Sequence, residues 1–229
     1  MTVIVEDTRD NRPAPVFTGR IRWVAALLVT VGAALQVAEF LLEPGSDTTA
    51  SRVAWWVAHP DRIEWSKAAG LLAVPFLLGQ VYVTVTIARR HSRRIATAAA
   101  VCLTAAMTGL AAIQGAELAA LFATRAGHQD AAIAILDSSE PTVPGVLLLV
   151  MFLGGALIGT VLINIALWRS PYAPRLVVIF GVTFVVLDIV LQQGVAGHLA
   201  ALAAGLVLAW AIVTGYVRTP RQRERVRAH

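Results

Sequence analysis

Six apolar segments, each close to the length needed to cross a bilayer, decide what this chain can fold into. A hydrocarbon core about 30 Å thick needs roughly 20 apolar residues per helix. The stretches near 21–42, 67–88, 95–123, 144–168, 176–193 and 197–217 meet that need, the fifth being the shortest. Within hydrocarbon each backbone N–H and C=O must be paired inside its own segment, so the runs are expected to be helices. The expected fold is an all-α polytopic bundle of six transmembrane helices over residues 20–217, between a disordered cytoplasmic tail, 1–19, and a basic cytoplasmic tail, 218–229. With 57% hydrophobic and 14% charged residues and a mean hydropathy of +0.70, the chain is too apolar for an ordinary soluble domain.

The first residues, "MTVIVEDTRDNRPAPVFTG", carry both charge signs and two prolines but no apolar stretch ending in a small-residue cleavage site. They read as a cytoplasmic tail and not as a signal peptide. Cys102 is the one cysteine, so an intramolecular disulfide and a cysteine-rich metal site are excluded. It is expected to be a small buried hydrophobe.

A net charge of +5 and a pI near 10.3 could suggest nucleic acid, but the placement of the basic residues favours membrane topology. With the N-terminus inside, the inner side holds Arg9, Arg12, Arg20 and Arg22, then Arg89, Arg90, Arg93 and Arg94, then Arg169 and Arg175, then Arg218, Arg221, Arg223, Arg225 and Arg227. The outer side has only Arg52, Arg62, Lys67 and Arg125. This is the asymmetry of the positive-inside rule, and it places both termini in the cytoplasm of a multi-pass protein of the plasma membrane. The tail "RTPRQRERVRAH" also suits anionic head groups.

The segments repeat. Residues 33–39, "AALQVAE", return as 111–117, "AAIQGAE". Alanine matches are cheap in an alanine-rich chain, but a Gln and a Glu at one spacing inside apolar segments are not. After each copy comes an outer loop of about twenty residues with a short apolar run, "RVAWWVA" or "AAIAIL", and then a returning helix. Each run is expected to be a short helix along the outer interface, with Trp55, Trp56 and Trp65 at head-group level. A third hairpin, segments five and six, keeps the up-down form with only "GVAG" between its helices. Three parallel hairpin repeats follow, unlike the inverted repeats of many transporters. Gly155 with Gly159, and Gly197, Ala201 and Gly205, are small residues at spacing four that allow close helix packing.

Polar groups inside these segments gather toward the outer end. Gln36 and Glu39, Gln114 and Glu117, and Asp188 and Gln192 lie three or four apart, each pair on one helix face. Gln193 neighbours the third pair and His198 opens the last segment, while Gln80 and Asn164 lie deeper or toward the inside. A charge at bilayer depth costs about 2.5–3.5 kcal/mol on the gentlest scale. The three acids are therefore expected to converge on an outward-facing pocket and not to face lipid separately. Three close carboxylates favour one neutral form, a possible proton donor. Alternatively, amide and protonated carboxyl simply join helices by hydrogen bonds. His59, His128 and His198 lie on the same side, but no H-x-x-x-H or H-E-x-x-H spacing supports a metal, and none is expected.

"GHLAALAAG", residues 197–205, resembles the last helix of rhomboid proteases, in which a histidine is followed by glycines. The serines at 46, 51, 66, 92, 138, 139 and 170 fall in loops or at helix ends, and no G-x-S-G is present. The nucleophile such a histidine would activate is missing. The chain as a whole, over about residues 20–217, resembles a group of uncharacterised six-helix membrane proteins of high-GC actinobacteria. The matching stretches are "WWVAHPDR" before "GLLAVPFLLG", and "VMFLGGALIGTVLINIALWRSPYAPR" with its basic, proline-containing turn. That resemblance implies a fold and no activity.

Three functions compete. In the favoured one, a lipid-like or amphipathic molecule is bound or moved, its polar end meeting Gln36, Glu39, Gln114, Glu117, Asp188, Gln192 and His198. In the second, a membrane-embedded cyclase or isomerase uses Glu39, Glu117 or Asp188 as proton donor. In the third, the chain is a non-catalytic helper subunit whose surface matters more than its pocket. Expected partners are membrane lipids, a small amphipathic ligand and a second copy of the chain, but not nucleic acid. No cofactor is expected.

Overall fold

A computed structural model describes residues 16–137, 142–171, 173–191 and 193–215. Both tails, apart from residues 16–19, and Gln192 lie outside the described residues. Long helices dominate: α1 (Ile21–Leu42), α3 (Pro60–Arg89), α4 (Arg93–Arg125), and α6 (Val143–Leu149) running through a π-helical turn into α7 (Gly155–Arg169). The short α2 (Thr49–Ala58) and α5 (Gln129–Leu136) fall where apolar runs interrupt the two polar loops. After Pro174, α8 (Arg175–Phe184) passes into a second π-helical turn, Val185–Val190, and α9 (Gly194–Val213) is the last described helix.

Among the described residues, five helical stretches are long and apolar enough to cross a membrane: Ile21–Leu42, Pro60–Arg89, Arg93–Arg125, Val143–Arg169 and Gly194–Val213. The segment expected as the fifth span behaves differently. It is α-helical for ten residues and π-helical for six more, shorter than the roughly 20 residues a span needs. Large apolar side chains on the outside of the bundle, among them Leu27, Val101, Leu147, Ile158 and Leu206, are about half exposed or more. So much exposed apolar surface suits lipid and would be a liability in water.

Neighbouring long helices run antiparallel and touch through glycines. A Cβ on Gly32 would stand 3.0 Å from the Leu77 backbone, and one on Gly79 would overlap the Leu28 side chain, so α1 and α3 approach closely at two levels. Gly205 of α9 lies against the Val29 carbonyl of α1, and Gly155 and Gly159 lie against Cys102, Ala106 and Leu103 of α4. Of the small residues singled out in the sequence, Gly155, Gly159 and Gly205 thus sit at helix crossings, as close packing in lipid requires. Cys102 itself is half-buried and not fully enclosed.

Two apolar clusters result. The larger one, including Val29, Ile87, Ala96, Leu167 and Leu208, fills the end of the bundle at which the arginine-rich turns lie. The smaller one, Val53, Trp56, Ile63, Ala120, Leu121 and Ala132, lies at the other end under α2 and α5. Trp56 is only 1% exposed, so it belongs to this core and not to the head-group level expected for it. Trp65 is 70% exposed.

Candidate polar site between α1, α3 and α4

Polar side chains fill the layer between the two apolar clusters. α1 brings Glu39 and, one turn later, its C-cap residue Glu43. α3 runs back past them with Ser66, Lys67 and Gly70, and α4 contributes Gln114 and Glu117. The fourth contributor is α2. Its N-terminus is fixed by a reciprocal cap in which Thr48 Oγ1 accepts from the Ser51 amide at 3.1 Å and Ser51 Oγ accepts from the Thr48 amide at 3.2 Å. That cap sets the direction of the following residue, Arg52.

Two acids and two bases form a closed alternating ring. Lys67 Nζ donates to Glu43 Oε2 and to Glu117 Oε2, both at 2.6 Å. Arg52 donates from Nε to Glu43 Oε1 at 2.6 Å and from its terminal nitrogen to Glu117 Oε1 at 2.7 Å. Each cation therefore bridges both carboxylates, and each carboxylate oxygen has a charged donor. Trp56 Nε1 adds a donor to Glu43 at 2.8 Å, and its ring lies 5.2 Å from the Arg52 guanidinium and 5.4 Å from Lys67 Nζ. Such contacts favour a cation in a partly dry setting. The Lys67 side chain is 2% exposed, whereas that of Arg52 is 30% exposed, so the ring opens outward on the α2 side.

Burial alone would raise the Glu43 carboxyl, but the Arg52 hydrogen bond and the Lys67 charge outweigh it and hold it below the usual carboxylate range. For Arg52, burial would lower the guanidinium, but the hydrogen bond to Glu43 and the charge of Glu117 hold it above its usual value. Both shifts favour the charged forms, as expected for mutual pairing.

One helical turn further into the bundle, Gln114 Nε2 donates to Glu39 Oε1 at 2.9 Å, and Ser66 Oγ donates to the Glu39 backbone carbonyl at 3.2 Å. Gly70 provides the room: a Cβ there would overlap the Glu39 carboxyl and stand 2.7 Å from Gln114 Nε2. Glu39, Gln114 and Glu117 are thus brought together as their repeated spacing suggests, but the pairing crosses between the copies. The amide of the second copy serves the carboxylate of the first, while Glu117 takes the two cations. Gln36 is half-buried and takes no part in these hydrogen bonds.

Asp188 does not join this group. It lies on the π-helical turn after α8, where Oδ1 is 3.2 Å from His198 Nδ1 of α9. His198 Nδ1 also lies 2.7 Å from the Gly194 carbonyl, and its ring packs on Phe40 at 4.4 Å and on Phe184 at 5.8 Å. Since α1 packs between α3 and α9, its Glu39 side meets α4 while Phe40 turns to α9. The expected three-acid convergence becomes two separate pairings on either side of α1. His59 stacks on Trp55 at 4.5 Å, and among the described residues no three His, Cys, Asp or Glu side chains gather as a metal site would need.

Glu43, Lys67, Arg52 and the buried role of Trp56 are what sequence reasoning missed. One signal was available: Glu43 lies four residues beyond Glu39 on the same helix face, and buried acids need cations. At this end the described cations are Arg52, Arg62, Lys67 and Arg125.

These features define a class: an all-helical protein with five apolar helices of membrane-crossing length and a buried polar layer near one end. The chain matches no protein-family model, no curated protein and no solved structure.

Proposed function

We propose that the chain is a multi-pass plasma-membrane protein that binds or moves a small lipid-like or amphipathic molecule, its polar end meeting the ring of Glu43, Arg52, Glu117 and Lys67 and the Glu39–Gln114 pair. In this reading the ring end faces outward, both termini are cytoplasmic, and α8 with its π-helical turn and α9 form the third of three parallel hairpins. α2 and α5 lie along the outer interface.

The ring carries the proposal. Apolar packing holds three helices together at least as well as buried ion pairs, whose desolvation offsets most of their attraction. A ring with two donors and two acceptors of charge does offer something apolar packing cannot. A polar head group can exchange with either cation or either carboxylate while the total charge stays balanced. The exposed side of Arg52 gives access to it.

Mass spectrometry of small molecules that co-purify with the wild type, compared with Glu39→Gln plus Glu117→Gln, tests this. A specific amphipathic species carried by the wild type and lost in the variant is the expected result. No specific species in either sample, with only a loss of thermal stability in the variant, would leave the ring as a clasp between helices. That second reading is favoured by one observation, the complete pairing of all four charges. A cyclase or isomerase would instead need Glu39 as a proton donor, and Glu39→Gln would then abolish turnover while leaving binding largely intact.

A further inference from the structure

The opposite end of the bundle holds a groove with a different chemistry. The turn from α3 to α4 carries Arg89, Arg90, Arg93 and Arg94, all exposed. Arg89, Arg93 and Arg94 line an open, shallow groove of about 650 Å³, whose floor continues along the same face of α4 through Thr97, Ala98 and Val101. No carboxylate lines it, and among the described residues none pairs with these three arginines. The N-terminus of α4 lies here too, with no side-chain cap from Ser92, which adds the positive end of a long helix dipole.

Both helices flanking this turn are of membrane-crossing length, so the arginines stand where a bilayer meets water. Below them the exposed face of α4 is small and apolar: Ala98, Val101, Thr104, Thr108, Ala111 and Gly115. The Thr97 and Thr108 hydroxyls turn back to the carbonyls of Arg93 and Thr104, at 2.8 and 3.1 Å, which leaves methyl groups outward. Nothing stands within 4 Å of where a Cβ on Gly115 would be. A positively charged groove continues directly into a shallow apolar furrow.

We propose that this groove binds the phosphate head group of an anionic diacyl phospholipid, with an acyl chain lying along the α4 furrow. Arginine forks match phosphate oxygens in pairs, and basic pockets between membrane helices at the water boundary attract anionic lipids. A phosphate free in water would use the arginines but not the furrow. The site is separate from the ring, so it stands or falls independently of the function proposed above.

Native mass spectrometry of the full chain in detergent, titrated with phosphatidylglycerol, phosphatidylcholine or inorganic phosphate, tests the assignment. Wild type is expected to retain phosphatidylglycerol in preference to the other two. Replacing Arg89, Arg93 and Arg94 with Ala should weaken its retention on the order of tenfold or more. Replacing the three with Lys keeps the charge but loses the fork, and should weaken retention part-way. Ala98→Leu narrows the furrow and should lower retention with all arginines present, while Arg20→Ala plus Arg22→Ala should change little. If the alanine variant does not insert, the lysine variant and Ala98→Leu still decide. Undiminished retention in those two variants, equal loss in the Arg20/Arg22 control, or equal retention of inorganic phosphate would overturn the proposal.

Discussion

Lys67 is the residue on which the polar layer turns, because it is almost fully enclosed and bridges two carboxylates. Lys67→Ala is expected to destabilise the protein by about 3–5 kcal/mol, since it leaves buried negative charge uncompensated; thermal unfolding in detergent measures this. Gly70→Ala tests the neighbouring pair. Its Cβ would press on Glu39 and Gln114, and the expected cost is about 1–3 kcal/mol. The sequence made one half of this site legible and hid the other for a physical reason. Glu39, Gln114 and Glu117 announce themselves as polar groups in apolar helices, and their repeat marks them as related. Glu43, Arg52 and Lys67 lie outside the apolar runs or at their edge, where charge is ordinary and reads as topology. Counting 78 residues on from Glu43 and Lys67 reaches Leu121 and Gly145, so the repeat could not reveal them either.

At the level of elements, α2 does more than lie beside the bundle. It supplies Arg52 to the ring and Trp56 to both the ring and the smaller apolar cluster. Thr48→Ala removes its cap, at about 1 kcal/mol, and is expected to loosen Arg52 first. Faster hydrogen exchange confined to residues 49–58, with α1 and α3 unchanged, is the result to look for. Apolar run length located five long helices, because apolar length and glycine spacing are local properties. It could not assign neighbours. Asp188 shares a depth with Glu39, but depth along a helix says nothing about direction around it, and α1 stands between the two acids. The short helix before Asp188 was also hidden: an apolar run ending in a π-helical turn has the same composition as a full span.

For the whole molecule, acid should open the ring. Glu43 titrates below the usual carboxylate range in the folded protein, so the folded state takes up that proton less readily than the unfolded state. The stability it confers is complete above the ordinary carboxylate value, about pH 4, and is lost as pH falls further through the folded value. The melting temperature is therefore expected to hold through neutral pH and fall steeply below about pH 4, with a smaller fall in Glu43→Gln.

The ring could serve binding or stability, and one variant separates the two. Lys67→Met plus Glu117→Met removes one charge of each sign and leaves Arg52 paired with Glu43, so no buried charge is orphaned. Replacing a buried ion pair with apolar side chains of similar size commonly keeps or raises stability. The decisive measurement is the unfolding temperature of this variant together with mass spectrometry of what co-purifies with it. A binding site predicts a protein at least as stable as wild type that has lost its amphipathic ligand. A variant that still carries the wild-type ligand, or that loses stability with no ligand found in either protein, would contradict it.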